Sequence, residues 1–93
     1  MRLGILKIEL YINGSNSLKE KRMVLRHLKD RIRRDFNVSI SEIDNHDKWQ
    51  RSTMAIAYVS NDKNHVDKVL NKVRDFFDKN RHVIVSDIKM EIL

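Results

Sequence analysis

Four segments of the chain carry the hydrophobic patterns of strands. Between residues 3 and 12 hydrophobic residues at every second position fall on one side of an extended backbone, which is typical of a strand with one buried face. The pattern returns in 36–41, and the apolar segments 54–59 and 83–92 complete a set of four predicted strands. In 54–59 both sides are apolar, so the pattern does not show which side of that strand is buried. Burial of both sides would imply a partner.

Two segments between these strands show helical spacing instead. Ser17 followed by Glu20 matches a capping box, so the first helix is predicted to begin near Leu18. Asn61 or Asp62 can cap a second helix. Both helices have one apolar side; its residues are Leu18, Val24, Leu25, Leu28 and Ile32 in the first, and Val66, Val69, Leu70, Val73, Phe76 and Phe77 in the second.

The order strand, helix, strand, strand, helix, strand predicts an α+β fold. Its common solution is the ferredoxin-like βαββαβ sandwich, an antiparallel four-stranded sheet of order 4-1-3-2 with two helices on one face. A chain of 93 residues is long enough for one core, so residues 1–93 are predicted to form a single domain. The chain direction then brings three distant segments to one edge, which we call the upper rim: 14–22, 44–51 and 79–82.

The composition and the motifs of the chain argue against several kinds of catalytic and metal-binding site. The absence of cysteine excludes disulfides, cysteine nucleophiles and thiolate metal sites. The four histidines lack metal-ligand spacing, and no nucleophile elbow, phosphate-binding loop or pair of catalytic carboxylates can be found. No positively charged leader followed by an apolar run is seen, and no apolar stretch approaches the roughly 18 residues that span a bilayer, so neither export nor membrane insertion is expected. We expect a cytoplasmic protein that is not an enzyme, has no cofactor or metal and does not enter a membrane.

Positive charge is concentrated on the first helix. The chain carries 19 lysines and arginines against 13 acidic residues, a net charge of +6 that favours anionic partners. Five cations at spacings of three and four project within an arc of about 80°. We call them the helix ridge: Lys19, Arg22, Arg26, Lys29 and Arg33. A polyanion would relieve their repulsion; alternatively, they form a solvated face whose stems cover the core edge.

A second candidate cluster lies on the upper rim. Lys21 falls inside the apolar arc of the first helix, so its ammonium is expected to snorkel to the rim. Trp49, Gln50 and Arg51, which we call the tryptophan loop, combine an aromatic plane, an amide and a guanidinium that can stack on bases and hold phosphate. The same residues can instead lock the loop, with the indole over the core end and Arg51 paired with a carboxylate. The amides at the start of the first helix add a generic anion site.

Three functions stay open. The preferred hypothesis is a non-enzymatic RNA- or ribosome-associated protein that uses the helix ridge, Lys21 and the tryptophan loop. The second is a homodimer or other protein-interaction module, because the open sheet face is expected to carry some of Ile5, Tyr11, Met54, Ile56 and Tyr58. The third is a small phosphate-processing hydrolase, since acylphosphatases share the predicted fold and use a loop at a helix start.

Four segments together resemble the YlxP-like family of uncharacterised bacterial proteins: SLKEKR (17–22), FNVSISE (36–42), WQR (49–51) and SND (60–62). The resemblance covers nearly the whole chain. It implies a ferredoxin-like fold, bacterial cytoplasm and an association with translation and ribosome maturation, because family members are encoded beside such factors. It implies no reaction, because the family has no established catalytic residues.

Overall fold

Six regular elements follow one another in the computed structural model, which describes residues 1–93. The strands are β1 (Arg2–Ile12), β2 (Ser39–Asp44), β3 (Arg51–Ser60) and β4 (Val83–Ile92), and the helices are α1 (Leu18–Asp35) and α2 (Lys63–Lys79). The strands form one antiparallel sheet in the order β2-β3-β1-β4, which is the order 4-1-3-2 counted from the other edge. The prediction of a ferredoxin-like βαββαβ fold is confirmed.

The core lies between the two helices and one face of the sheet. It is a single cluster of 15 buried hydrophobic side chains, to which β1 contributes Leu6, Ile8, Leu10 and Ile12. In β3, Met54 and Ile56 are completely buried, whereas the intervening Ala55 is only half-buried. Because successive side chains of a strand point to opposite faces, the side of β3 that carries Met54 faces the helices.

Both helices begin where their caps predict. The Ser17 hydroxyl accepts a hydrogen bond from Glu20 N (3.1 Å), and the Glu20 carboxylate in turn accepts one from Asn16 N. Asp62 caps α2, because its carboxylate accepts from Asn64 N (3.0 Å). Neither helix is long and apolar enough to cross a membrane.

Strand boundaries differ from the prediction by up to three residues, most at both ends of β2 and at the start of β3. The second strand begins at Ser39 rather than Phe36, because α1 extends to Asp35 and Phe36 N still donates to Ile32 O (2.8 Å). The third strand begins at Arg51, three residues before Met54, because Arg51 still pairs with Tyr11 on β1. Alternation of hydrophobic residues alone misses both effects, since helix capping and strand pairing need no hydrophobic side chain.

Gly4 sets the distance between β1 and α2. A β-carbon at this position would collide with the side chains of Val66 and Leu70, both of which are completely buried in α2. The absence of a side chain at Gly4 therefore lets the helix pack directly on the strand.

The three segments predicted for the upper rim meet there. Asn13 N donates to His82 O (3.0 Å), which joins the segment after β1 to the entry of β4. The Gln50 side chain donates to Ser15 O (3.2 Å), which joins the β2–β3 loop to the start of α1. The rim is therefore a hydrogen-bonded edge built from segments that lie far apart in sequence.

Candidate nucleic-acid interface

The helix ridge runs along α1 beside strand β2. Four of its five side chains are exposed and Lys29 is half-buried. None of them forms a salt bridge; the ion pairs of the chain are Lys21–Glu42, Arg34–Asp35 and Arg74–Asp78. The carboxylates of the chain therefore leave the helix ridge unpaired.

A groove of about 410 Å³ lies between the helix ridge and β2. Its charged lining residues are Arg22, Arg26, Lys29, Arg33, Asp30 and Glu42. Glu42 is already paired with Lys21, so Asp30 is the one carboxylate of the groove outside an ion pair. Four cations against this single carboxylate make the groove a positively charged channel.

Arg33 also holds the helix to the sheet. Its Nη2 donates to the main-chain oxygen of Ile40 on β2 (3.0 Å). Strand β2 is at the edge of the sheet, where main-chain groups lack a neighbouring strand, and an arginine placed there satisfies one of them. One hydrogen-bond donor of Arg33 is therefore occupied. Its positive charge still lines the end of the groove that lies farthest from the upper rim.

Lys21 departs most from the predicted site. Its side chain is 1% exposed, its Nζ lies 2.9 Å from Glu42 Oε2, and it donates to Asn45 O (2.6 Å). Glu42 also accepts from the buried hydroxyl of Ser52 (2.6 Å). The ammonium reaches the rim loop as expected, where it ends in a buried ion pair rather than at the surface. A buried lysine with a carboxylate partner is a structural ion pair and offers no charge to a ligand.

The sequence contained a signal for this ion pair. Glu42 lies two residues after the buried Ile40, so the alternation of β2 places both side chains on the face that α1 covers. A lysine inside the apolar arc of the helix and a glutamate on the inward side of the strand each need a partner of opposite charge. Considered together, Lys21 and Glu42 predict the contact.

Gln50 is tied into the rim at both ends of its amide. Its Oε1 accepts from the Tyr11 hydroxyl (2.9 Å) and its Nε2 donates to Ser15 O (3.2 Å). Its own main-chain oxygen accepts from Ile12 N (2.8 Å). These contacts match the structural alternative for this residue, a lock that holds the loop.

Trp49 and Arg51, in contrast to Gln50, are not held by the contacts that were considered as their structural alternative. The indole is 54% exposed, so it does not cover the end of the core. Arg51 is exposed and belongs to none of the three salt bridges, so the predicted alternative of an Arg51–carboxylate pair is not found. With Tyr11, Lys48 and Gln50, these two residues line a shallow depression of about 360 Å³.

The groove and the depression are two separate surfaces. They share no lining residue, although both adjoin the β2–β3 loop. The groove lies on the helix side of the sheet, whereas Tyr11 belongs to the side of β1 that points away from the helices. The upper rim therefore connects the two candidate surfaces without merging them into one site.

Other predicted surfaces change in the structure. Of the five residues considered for the open sheet face, Met54 and Ile56 are in the core, and Tyr58 bonds through its hydroxyl to His65 of α2 (2.9 Å). Only Ile5 and Tyr11 belong to the open face.

The predicted anion site at the start of α1 is partly filled by the chain itself. The Asn16 amide, which lies within that site, donates its hydrogen bond to the Glu20 carboxylate. No group of three or more histidine, aspartate or glutamate residues is placed to hold a metal ion.

Comparison with known proteins identifies the family. Residues 3–90 match the family model described as a protein of unknown function, DUF503. The chain belongs to this family. The "Uncharacterized protein YlxP" of Bacillus subtilis (strain 168) is 43% identical over 76 residues, which are 82% of this chain and 83% of that protein. The resemblance to the YlxP-like family is thus confirmed, and neither description names an activity.

Among solved structures, a de novo designed protein with a ferredoxin fold is similar to this DUF503 chain with a TM-score of 0.49 and 9% identity. The similarity covers 100% of this chain and 84% of the designed one.

The candidate residues of this DUF503 protein fall into two groups. Lys21 and Gln50 have their polar atoms engaged inside the fold. The helix ridge, Trp49 and Arg51 present charge or an aromatic ring to solvent. Any ligand of this surface therefore meets the second group, while the first group determines where its members lie.

Proposed function

We propose that this protein is a cytoplasmic, non-enzymatic RNA- or ribosome-associated protein that binds phosphates along the helix ridge. The observation that supports the proposal is the groove beside β2, where four cations meet and none is paired with a carboxylate of the chain. Clustered lysine and arginine on one helix face are the electrostatic footprint of phosphate-backbone binding.

The length and spacing of the helix ridge suit a polymer rather than a single anion. From Lys19 to Arg33 the ridge extends roughly 21 Å at 1.5 Å per helical residue. Neighbouring cations along it repel one another, and a chain of phosphates removes that repulsion at several positions at once. A single phosphate would engage only one end of the groove.

Salt-dependent RNA binding tests the proposal. For about five cations in contact with a single strand, log K is expected to fall against log salt with a slope of roughly 3 to 4. The variant Arg26→Glu/Lys29→Glu reverses two charges in the middle of the groove. It is expected to weaken binding at every salt concentration and to reduce the slope by at least about 1.

A matched control separates the helix ridge from general charge attraction. Lys68 and Lys72 are exposed on α2, belong to no salt bridge and lie one turn apart. Lys68→Glu/Lys72→Glu changes the net charge by the same amount but leaves the groove intact. Equal losses in the two double variants would remove the helix ridge from the proposal.

Homodimerisation through the open sheet face is the alternative function. Its support is the exposure of Tyr11 (42%), Val59 (56%) and Ile84 (53%), which the alternation of the strands assigns to that face. Light scattering at low and high protein concentration tests it. A mass that stays at one chain throughout would end this alternative, whereas a twofold increase in mass would support it.

A further inference from the structure

The ring of Trp49 has no aromatic or cationic partner within the chain. Intramolecular aromatic contacts join Tyr58 to His65 and Phe76 to Phe77, and the one cation–π contact places Arg31 over Phe76. Trp49 belongs to none of them and is 54% exposed. A large aromatic ring in this position does not contribute to the core and leaves its face free to stack on a ligand.

The backbone that carries this ring is held on both sides. Before it, Lys48 N donates to Asn45 O (3.1 Å) and closes a turn. After it, the main-chain oxygen of Gln50 accepts from Ile12 N (2.8 Å), and the Gln50 side chain is bonded at both ends. The loop is therefore ordered before any ligand arrives, which reduces the entropy lost on binding.

Two cations flank the ring. Lys48 and Arg51 line the same depression as Trp49, and neither belongs to a salt bridge. An exposed aromatic ring next to unpaired positive charges is the arrangement that stacks a base and holds its phosphate in proteins that bind single-stranded nucleic acids. A small apolar ligand would leave both charges without a partner.

We infer that the tryptophan loop stacks on an unpaired nucleobase, so that the RNA bound by this protein is single-stranded at the upper rim. The inference rests on the proposed function and specifies the class of RNA. Within a duplex the faces of the bases are covered by their neighbours, and sequence-specific proteins accordingly bind loops, bulges and ends. A duplex can lie along the helix ridge but cannot place an internal base on Trp49.

The chain offers a direct readout, because Trp49 is its only tryptophan. The wild-type protein is titrated with a single-stranded RNA of mixed sequence, and separately with a blunt duplex of the same strand length at the same salt concentration. The single strand is expected to quench the tryptophan fluorescence as it saturates the protein. The duplex is expected to bind through the helix ridge and leave the emission nearly unchanged.

Variants of Trp49 measure the contribution of the stack, with binding followed by the anisotropy of labelled RNA. Trp49→Leu is expected to weaken binding of the single strand roughly 5- to 150-fold, the range found for loss of one stacked base, and to leave duplex binding unchanged. Trp49→Phe keeps an aromatic face and is expected to retain most of the affinity. Because the side chain lies on the surface, both variants should fold.

The outcomes separate this inference from the proposed function. Salt-dependent binding of both RNAs with unquenched emission, or an equal loss for both in Trp49→Leu, overturns the unpaired-base inference and leaves the helix ridge as the binding surface. If neither the single strand nor the duplex binds at low salt, both the proposed function and the unpaired-base inference are overturned. Both the inference and the proposed function are supported if the single strand quenches the emission and if Trp49→Leu weakens binding of the single strand but not of the duplex.

Discussion

The ammonium of Lys21 lies 2.9 Å from the Oε2 atom of Glu42, and the two side chains are only 1% and 15% exposed. The pair joins the first turn of α1 to β2, while the hydrogen bond from Lys21 to Asn45 O adds the β2–β3 loop. One buried contact thus holds together the elements that carry the helix ridge and the tryptophan loop.

Replacing Lys21 with methionine is expected to destabilise the protein by about 3 kcal/mol. The apolar part of the side chain is kept, but Glu42 loses its cation inside the fold, and removing one partner of a buried pair leaves an uncompensated charge. The free energy of unfolding, measured in urea, reports the loss. In Lys21→Met/Glu42→Leu the charge is absent, so the double variant should be more stable than Lys21→Met.

Lys19→Met is the control for this prediction. Lys19 lies two residues earlier on the same helix, is exposed and forms no salt bridge. Its replacement is expected to change the unfolding free energy by less than about 0.5 kcal/mol. Similar losses in the two variants would mean that the Lys21–Glu42 pair does not stabilise the fold.

Gly4→Ala is expected to destabilise the protein by about 1 to 3 kcal/mol, because the added methyl group overlaps Val66 and Leu70 in a packed core. Val66→Ala, which is destabilising by itself, makes room for that methyl group. Thermal unfolding should therefore show that the double variant loses less stability than the two single variants lose in sum. Strictly additive losses would argue that α2 shifts away from β1 without any clash.

Gln50→Ala and Trp49→Ala are expected to differ although the residues are adjacent. Loss of the Gln50 amide removes the partners of Tyr11 and Ser15, which should reduce stability by about 1 kcal/mol. Trp49 is exposed, and its replacement should stay within about 0.5 kcal/mol of wild type. Chemical denaturation distinguishes them, and a larger loss for Trp49→Ala would make the indole a structural element after all.

The protein is expected not to hydrolyse acyl phosphates. At the start of α1 the Glu20 carboxylate accepts from Asn16 N, so negative charge already occupies part of the place where an acylphosphatase-like loop would hold its substrate. Release of phosphate from acetyl phosphate should equal that of a buffer blank. Hydrolysis that disappears in Arg51→Ala would instead support the enzyme hypothesis.

The predictions that succeeded depend on local periodicity. The apolar segment Val83 to Ile92 identified β4 with both of its ends, and the capping residues identified the start of α1 at Leu18. The prediction for β3 was incomplete, because its first residues are held by pairing with β1 rather than by their own hydrophobicity. The face of Met54 could not be assigned from the sequence for another reason. A strand with apolar residues on both sides carries no signal about which side the helices cover.

For the candidate site, the spacing of charges in the sequence was sufficient to define the helix ridge, because spacings of three and four place side chains on one side of any helix. The hydrophobic patterns likewise defined the order of the elements, and with it the sheet. The tertiary structure decided how deeply Lys21 is buried against Glu42, and it alone showed that Trp49 stays exposed. The reason is physical: the energy of a charge or a ring depends on what surrounds it, and those neighbours come from segments distant in sequence.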